Sequence, residues 1–461
     1  MVVRIVERKE ARLSMMISRR LEVERRQSWG MDAPRMTPAE SIARLRAAFP
    51  AQGFFAEKEW VLSPEAFALD EGTVALIREL GPALRAFQRA CNALYFDERH
   101  AWVAKCIDQG KPERVVRLGR SERWRKDLPR VLRPDLVLTE DGVCISELDS
   151  LPGGIGLTAW LNETYASLGQ NVIGGASGMI DGFAQAFPDE DFIISRESGD
   201  YAPEMLWLAD KLGRRVLRPW EVQPYEMSGM ALYRFFELFD LANVENADAM
   251  LRMAESGELS FTPPLKAFLE EKLWLALFWS PALEGYWRET LLTSHFLLLQ
   301  KCIPHGWVVD PAPLPPFAVF PKLDIQSWNE MKTFGGKKRE LVLKISGFSE
   351  LGWGSRGVFI GHDLSQEQWG GAIDEALTNF PTNPFVLQEF HRAKVVPHPA
   401  WVEESHNTRV MQSRVRLCPY YFGAAEVDEP VLGGVLATVC PADKKILHGM
   451  RDAMMLPCIT R

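Results

Sequence analysis

The chain has 461 residues, more than one ordinary core holds, which implies roughly two to four domains of about 100–200 residues each. Its 47% hydrophobic and 25% charged residues are those of a soluble globular protein, and no apolar run approaches the ~18 residues of a membrane-spanning helix. The net charge of −8, from 53 basic and 61 acidic residues, speaks against a general nucleic-acid role, which shows as a basic balance or face, but leaves anionic ligands open, because a local pocket can oppose the global sign.

Residues 1–37 carry charges of both signs and no apolar h-region. They read as a flexible lead-in rather than a signal peptide, with Met15, Met16 and Met31 as alternative starts. Residues 38–130 form a helical region. Pro38-Ala-Glu opens an apolar-periodic segment running to Phe49, Ser63-Pro-Glu-Ala gives a capping-type start, and Leu76, Ile77, Leu80, Leu84 and Phe87 recur at helical spacing. Within 131–190, VLRPDLVLTEDGVCISELD predicts two strands around an Asp141-Gly142 turn. A Pro-Gly-Gly loop and a helix from Leu157 to Leu168 follow.

Residues 191–245 give a strand from Phe192, a helix from Ala202 to Leu212, and strands from Arg215 and Met230. That alternation predicts a small parallel α/β unit. Residues 246–321 read as a helical segment ending in a link with Pro311, Pro313, Pro315, Pro316 and Pro321. Residues 322–461 return to strands at 340–345, 357–360, 385–390 and 414–417, with a helix over about 365–379. The fold class is mixed, α+β with an α/β portion. Seven scattered cysteines without a CxxC pair give a structural zinc site no support and fit free thiols in a reducing, cytoplasmic compartment.

Three segments carry chemistry. On the 131–149 hairpin, Glu147 and Asp149 lie two apart on one strand and so share a face, and the turn brings Asp135 opposite them. Three such carboxylates repel one another unless a cation lies between, and Mg²⁺, which takes oxygen ligands and bridges phosphates, suits the place; an exposed polar sheet face is the plainer alternative. In ELVLKISGFSELGWGSRGVFIG, residues 340–361, a strand bearing Lys344 runs into a loop with Gly347, Gly352, Gly354 and Gly357. Glycines let backbone N–H groups approach phosphate, and lysine adds a compact charge. It is neither a Walker A loop nor a dinucleotide-binding turn. In NPFVLQEFH, an apolar strand ends in Gln388-Glu389-Phe390, where backbone groups can meet an adenine edge and a carboxylate the ribose.

Together these pieces resemble the ATP-grasp superfamily. In it a lysine strand, a glycine-rich loop, a Gln-Glu-Phe-like hinge and a carboxylate metal cluster hold Mg-ATP. Here the carboxylates precede the hinge by more than 200 residues, an order that resembles the circularly permuted branch typified by the synthetase domain of glutathionylspermidine synthase. That branch's Arg-x-Asp…Glu-x-Asn pattern is matched by Arg133-Pro-Asp135…Glu147-Leu-Asp149, with Asp149 for the usual Asn. Glu271-Lys272 stands where the branch has Asn-Lys before a Leu/Trp-rich helix.

The resemblance spans about residues 130–440 and implies a permuted ATP-grasp fold with a pre-ATP-grasp-like unit at 191–245. It implies Mg²⁺ on Asp135, Glu147 and Asp149, and Arg133 and Arg356 acting on the phosphate or acyl phosphate. ATP would be held by Lys272, Lys344, Gly352, Gly354, Gly357, Gln388, Glu389 and Phe390. The implied activity is ADP-forming ligation of a small acid to a small amine. Phosphoryl transfer without ligation and a non-catalytic nucleotide-binding relic are the rivals. Arg414 or Arg416 is placed to face the triphosphate, and His448, Arg451 and Asp452 either close the acceptor site or cap a terminal helix. The basic run Arg114, Arg117, Arg120, Arg123 and Arg125 reads as a solvated loop or an acidic-substrate contact. No membrane or nucleic-acid partner is expected, and the oligomeric state is unread.

Overall fold

A seven-stranded sheet dominates the computed structural model, which describes residues 36–461 except 52, 55–58, 353–355, 425, 448, 450 and 451. Most of the lead-in, Gly354, His448 and Arg451 therefore lie outside the described residues. The sheet runs β1 (Phe67–Leu69), β15 (Met454–Thr460), β14 (Val431–Pro441), β13 (Asn407–Phe422), β2 (Val131–Thr139) and β3 (Gly142–Asp149), with β12 (Val396–Val402) also on β13. Every pairing is antiparallel except β1 with β15. Alternation divides the two faces of β13. Val415, Leu417 and Tyr421 enter the main core from one face, while Arg414, Arg416, Cys418 and Tyr420 on the other face a cavity, with Cys418 and Tyr420 also buried in the core.

The face of Tyr421 is covered by the helix Glu71–Tyr95, and the helix Ile155–Ser167 packs on the other face, where Gly154 meets Tyr420 and Leu436 and Asn162 meets Gly434. The first begins at Asp70, whose side chain accepts from Thr73 N at 2.8 Å, and buries Val74, Ile77, Leu80, Leu84 and Phe87 along one stripe. Each such side chain contributes about 1.5–3 kcal/mol when removed from water. The capping-type start at Ser63-Pro64 is overturned: that stretch leads into β1, and Asp70 supplies the cap instead.

A second sheet is fully antiparallel, in the order β10 (Val358–Ile360), β9 (Leu341–Ile345), β11 (Phe385–Glu389), β8 (Gly306–Val308). With the helix Gln366–Asn379 it encloses its own small core of Leu343, Ile345, Trp369, Ile373 and Leu387. A third sheet is parallel: β5 (Val216–Leu217), β4 (Asp191–Ile194), β6 (Ala231–Phe235), β7 (Ser260–Thr262). Residues 246–303 thus contain β7 as well as helices, and the proline-rich stretch contains β8. A terminal helix near Asp452 is not formed by the described residues, which pass directly into β15. Among the described residues no helix is long and apolar enough to cross a membrane.

Candidate active site

The three sheets meet around a cavity of about 650 Å³. Its first wall is the β2–β3 hairpin. The turn needs Gly142, whose φ is +128°, and the resulting register sets Asp135 opposite Glu147 and Arg133 opposite Asp149. All four side chains line the cavity. Unit charges about 4 Å apart interact by about 4 kcal/mol at a protein-like effective dielectric, so carboxylates gathered here need cations. Arg133 supplies one to two of them, with Nε 3.0 Å from Asp135 Oδ1 and a terminal nitrogen 3.0 Å from Asp149 Oδ2. Arg416 of β13 stands 2.9 Å from Asp135 Oδ2, and Lys272 stands 2.8 Å from Glu147 Oε1.

In this arrangement protein cations bridge the carboxylates. Among the described residues no three His, Cys, Asp or Glu side chains gather as a ligand set for a metal. The electrostatics follow. Burial pushes Asp135 up, but Arg133 and Arg416 outweigh it and hold the carboxyl below its ordinary value. Burial raises Asp149, opposed by Arg133 and reinforced by Glu147.

The facing wall is the small antiparallel sheet. Lys344 on β9 points across the cavity and donates to Ser146 O at 2.9 Å, and burial draws its ammonium below the usual range, with Glu147 opposing. Lys272 also donates to Gly352 O at 3.4 Å. Gln388, Glu389 and Phe390 close this end. Glu389 accepts from Lys322 Nζ at 2.9 Å, and Phe390 packs on His362 with ring centroids 4.7 Å apart. Gln388 Nε2 and Arg416 Nε are buried without a hydrogen-bond partner in the protein. Such donors are costly unless an acceptor reaches them, and both residues line the cavity.

Two residues of the glycine loop stand apart. Arg356 donates to Glu350 O at 2.8 Å and is not among the cavity-lining residues. Gly357 is also outside the lining; a Cβ there would fall 2.4 Å from Ile345 Cγ2, so close packing accounts for this glycine. The basic run upstream is likewise not part of the cavity lining: Arg114 pairs with Asp248, Arg120 with Asp108 and Arg125 with Glu122. Asp452 lies 3.4 Å from Lys444.

Several site residues escaped the sequence reading. Glu197, Asp200 and Tyr201 follow β4, and Glu237 follows β6, all lining the cavity. Their signal was positional, since ligands gather at the carboxyl ends of parallel strands. Burial, then Glu270 and Asp149, push Glu237 well above the ordinary carboxylate range. Glu204 lies beneath the Leu151-Pro-Gly-Gly loop, accepting from Gly154 N at 2.7 Å and Leu157 N at 2.8 Å. Burial pushes it up to about 7 despite both donors. The same loop presents Gly153 O to Arg133 at 3.1 Å and to Tyr420 Oη at 2.8 Å.

No family profile and no curated protein matches the chain by sequence. Among solved structures it is similar to a glutathione synthetase-like effector from Globodera pallida in its apo form, at a TM-score of 0.51 and 12% identity, over 92% of this chain and 97% of that one. A gamma-glutamylcysteine synthetase candidate from Methylobacillus flagellatus aligns at a TM-score of 0.37 and 11% identity, over 75% of this chain and 84% of that one, and carries no fold assignment. The fold of this chain is thus similar, along nearly its whole length, to that of the glutathione synthetase-like effector.

Proposed function

We propose that the chain is an ATP- and Mg²⁺-dependent ligase of permuted ATP-grasp architecture that joins a carboxylate to an amine. One observation carries this reading: the acidic hairpin with Asp135, Glu147 and Asp149 and the strand with Lys344 line one cavity, which Gln388-Glu389-Phe390 also line. The likeness in fold to a glutathione synthetase-like protein supports it. The donor set also fits. Glu147 is 40% exposed and offers oxygens to a hard cation, while Lys272, Lys344 and the unpartnered Gln388 and Arg416 donors suit a nucleotide's phosphates and base. Asp135, Glu147 and Asp149, paired here with Arg133, Arg416 and Lys272, are the residues that would hold Mg²⁺, which would offset phosphate charge.

The chemistry asked of the chain is positioning and charge stabilisation. A substrate carboxylate attacks the γ-phosphorus of ATP, ADP leaves, and the amine displaces phosphate from the acyl phosphate. Lys344 and Lys272 hold the phosphates while Arg133 and Arg416 offset charge developing at the carboxylate. Glu197, Asp200 and Glu237 form an acidic wall suited to an ammonium group, and a carboxylate there can take the proton that an amine must lose before attacking. The test is ADP release across amino acids, small peptides and polyamines, with Asp135→Ala and Lys344→Ala as controls. Release that needs both an acid and an amine supports ligation. A phosphorylated product without amine dependence identifies phosphoryl transfer, binding without turnover identifies a relic, and no thermal stabilisation by millimolar Mg-ATP refutes the nucleotide reading.

A further inference from the structure

Three consecutive residues, Glu270, Glu271 and Lys272, leave the chain toward three different neighbours. Glu270 pairs with Arg234 on β6, whose side chain is fully buried. Lys272 enters the cavity, toward Glu147 and Gly352 O. Glu271 turns elsewhere and is not among the lining residues. Its carboxylate is buried against Lys111, with side-chain exposures of 0% and 1%. It also accepts from Ser346 Oγ, and the Gly347 N–H faces it. Lys111 donates further to Ile107 O and lies 5.3 Å from the centroid of the Phe348 ring.

This pair is a poor source of stability. Desolvating two charges offsets most of their attraction, and neutral replacements of similar volume are often as stable. What the pair does supply is direction. Ser346 and Gly347 open the loop that follows the Lys344 strand, and Glu271 grips both. Gly347 has no slack on its other side, because a Cβ there would lie 2.0 Å from Glu270 O. Gly352, further along, is held through its carbonyl by Lys272. The residue that grips the loop's base and the residue that grips Gly352 are therefore neighbours in the chain.

We propose that Lys111 and Glu271 are positioning residues that fix the loop from Ser346 to Gly352 relative to Lys272 and Lys344, so that an anionic group in the cavity meets both ammoniums and the loop together. The identity of that anion as a nucleotide phosphate rests on the function proposed above; the fixing of the loop does not.

The test uses the full chain with Lys111→Met/Glu271→Gln, which removes both charges together. Amide exchange of residues 346–352 is followed without ligand, and Mg-ATP affinity is measured by calorimetry. The expected result is a melting temperature close to that of the unmodified chain, exchange in 346–352 faster by about tenfold, and a Kd for Mg-ATP raised by about tenfold, as the loss of one or two directed hydrogen bonds implies. Unchanged exchange in a folded double variant overturns the proposal. Faster exchange in a chain that binds no Mg-ATP even unmodified upholds the positioning role and rejects the nucleotide. Should the double variant not fold, Ser346→Ala leaves the ion pair intact and removes one grip. It is expected to speed exchange at Gly347 and Phe348 at unchanged melting temperature, and no change there overturns the proposal.

Discussion

Replacing Glu204 by Gln tests the construction of the site at its base. Glu204 is 1% exposed, and its two oxygens receive the N–H groups of Gly154 and Leu157 at the start of the helix Ile155–Ser167. A rise from 4.5 to about 7 corresponds to about 3 kcal/mol at 1.36 kcal/mol per pH unit. The folded state keeps a proton that the unfolded chain releases near 4.5, so this group's contribution to stability falls as pH climbs from about 4.5 to about 7. Glu204→Gln cannot ionise and loses that dependence. Urea unfolding of both proteins at about pH 4 and about pH 8 should therefore show the variant gaining about 3 kcal/mol relative to the unmodified chain across the interval. A gap that stays constant, or moves the other way, would refute the assignment of a proton to this carboxyl.

Three other substitutions probe the walls. Lys344→Ala removes a single charge-assisted hydrogen bond to Ser146 O, so it should cost about 1.5–3 kcal/mol of stability while abolishing the melting-temperature rise given by Mg-ATP in a thermal-shift assay. Arg133→Met strands Asp149 without its cation and should cost about 3–5 kcal/mol. Asp149→Asn in the same chain should restore a good part of that by urea denaturation, and no restoration would count against the pairing. Gly357→Ala places a methyl 2.4 Å from Ile345 Cγ2 and 2.9 Å from Leu351 O. It should lower stability by about 1–3 kcal/mol, and its cost combined with that of Ile345→Ala should be less than additive in the same denaturation experiment.

What the sequence disclosed, and what it hid, follows from the range of the forces involved. The β2–β3 hairpin was legible because Asp141-Gly142 marks its turn and its pairings are local. The strand of Lys344 and the strand ending in Gln388-Glu389 were legible as short apolar runs between turn residues. The large sheet was harder. In β14, residues 433–440 are buried throughout, and burial on both faces erases the alternation by which a strand is recognised. Gly433 and Gly434 further suggest a break, yet they serve close approach: a Cβ on Gly433 would fall 2.7 Å from the Phe422 ring. Glu271 was visible only as a departure from a family pattern, since its partner Lys111 lies 160 positions away. The sequence assigns Arg133 to the phosphate or acyl phosphate; what it could not disclose is the register opposite Asp149, by which Arg133 also bridges two carboxylates.

The sheet that carries Lys344 has a private store of apolar contacts, and little of it is shared with the rest of the chain. Val386 alone among the fully buried residues of β9 and β11 belongs to the large core. Its seams are drawn instead by Lys344 with Ser146, Lys272 with Gly352, and Glu271 with Ser346. Each of these contacts involves a charged group and contributes about 1.5–3 kcal/mol. Parting this wall from its neighbours would therefore cost those polar contacts together with the packing of Val386 and Val308 against the large core.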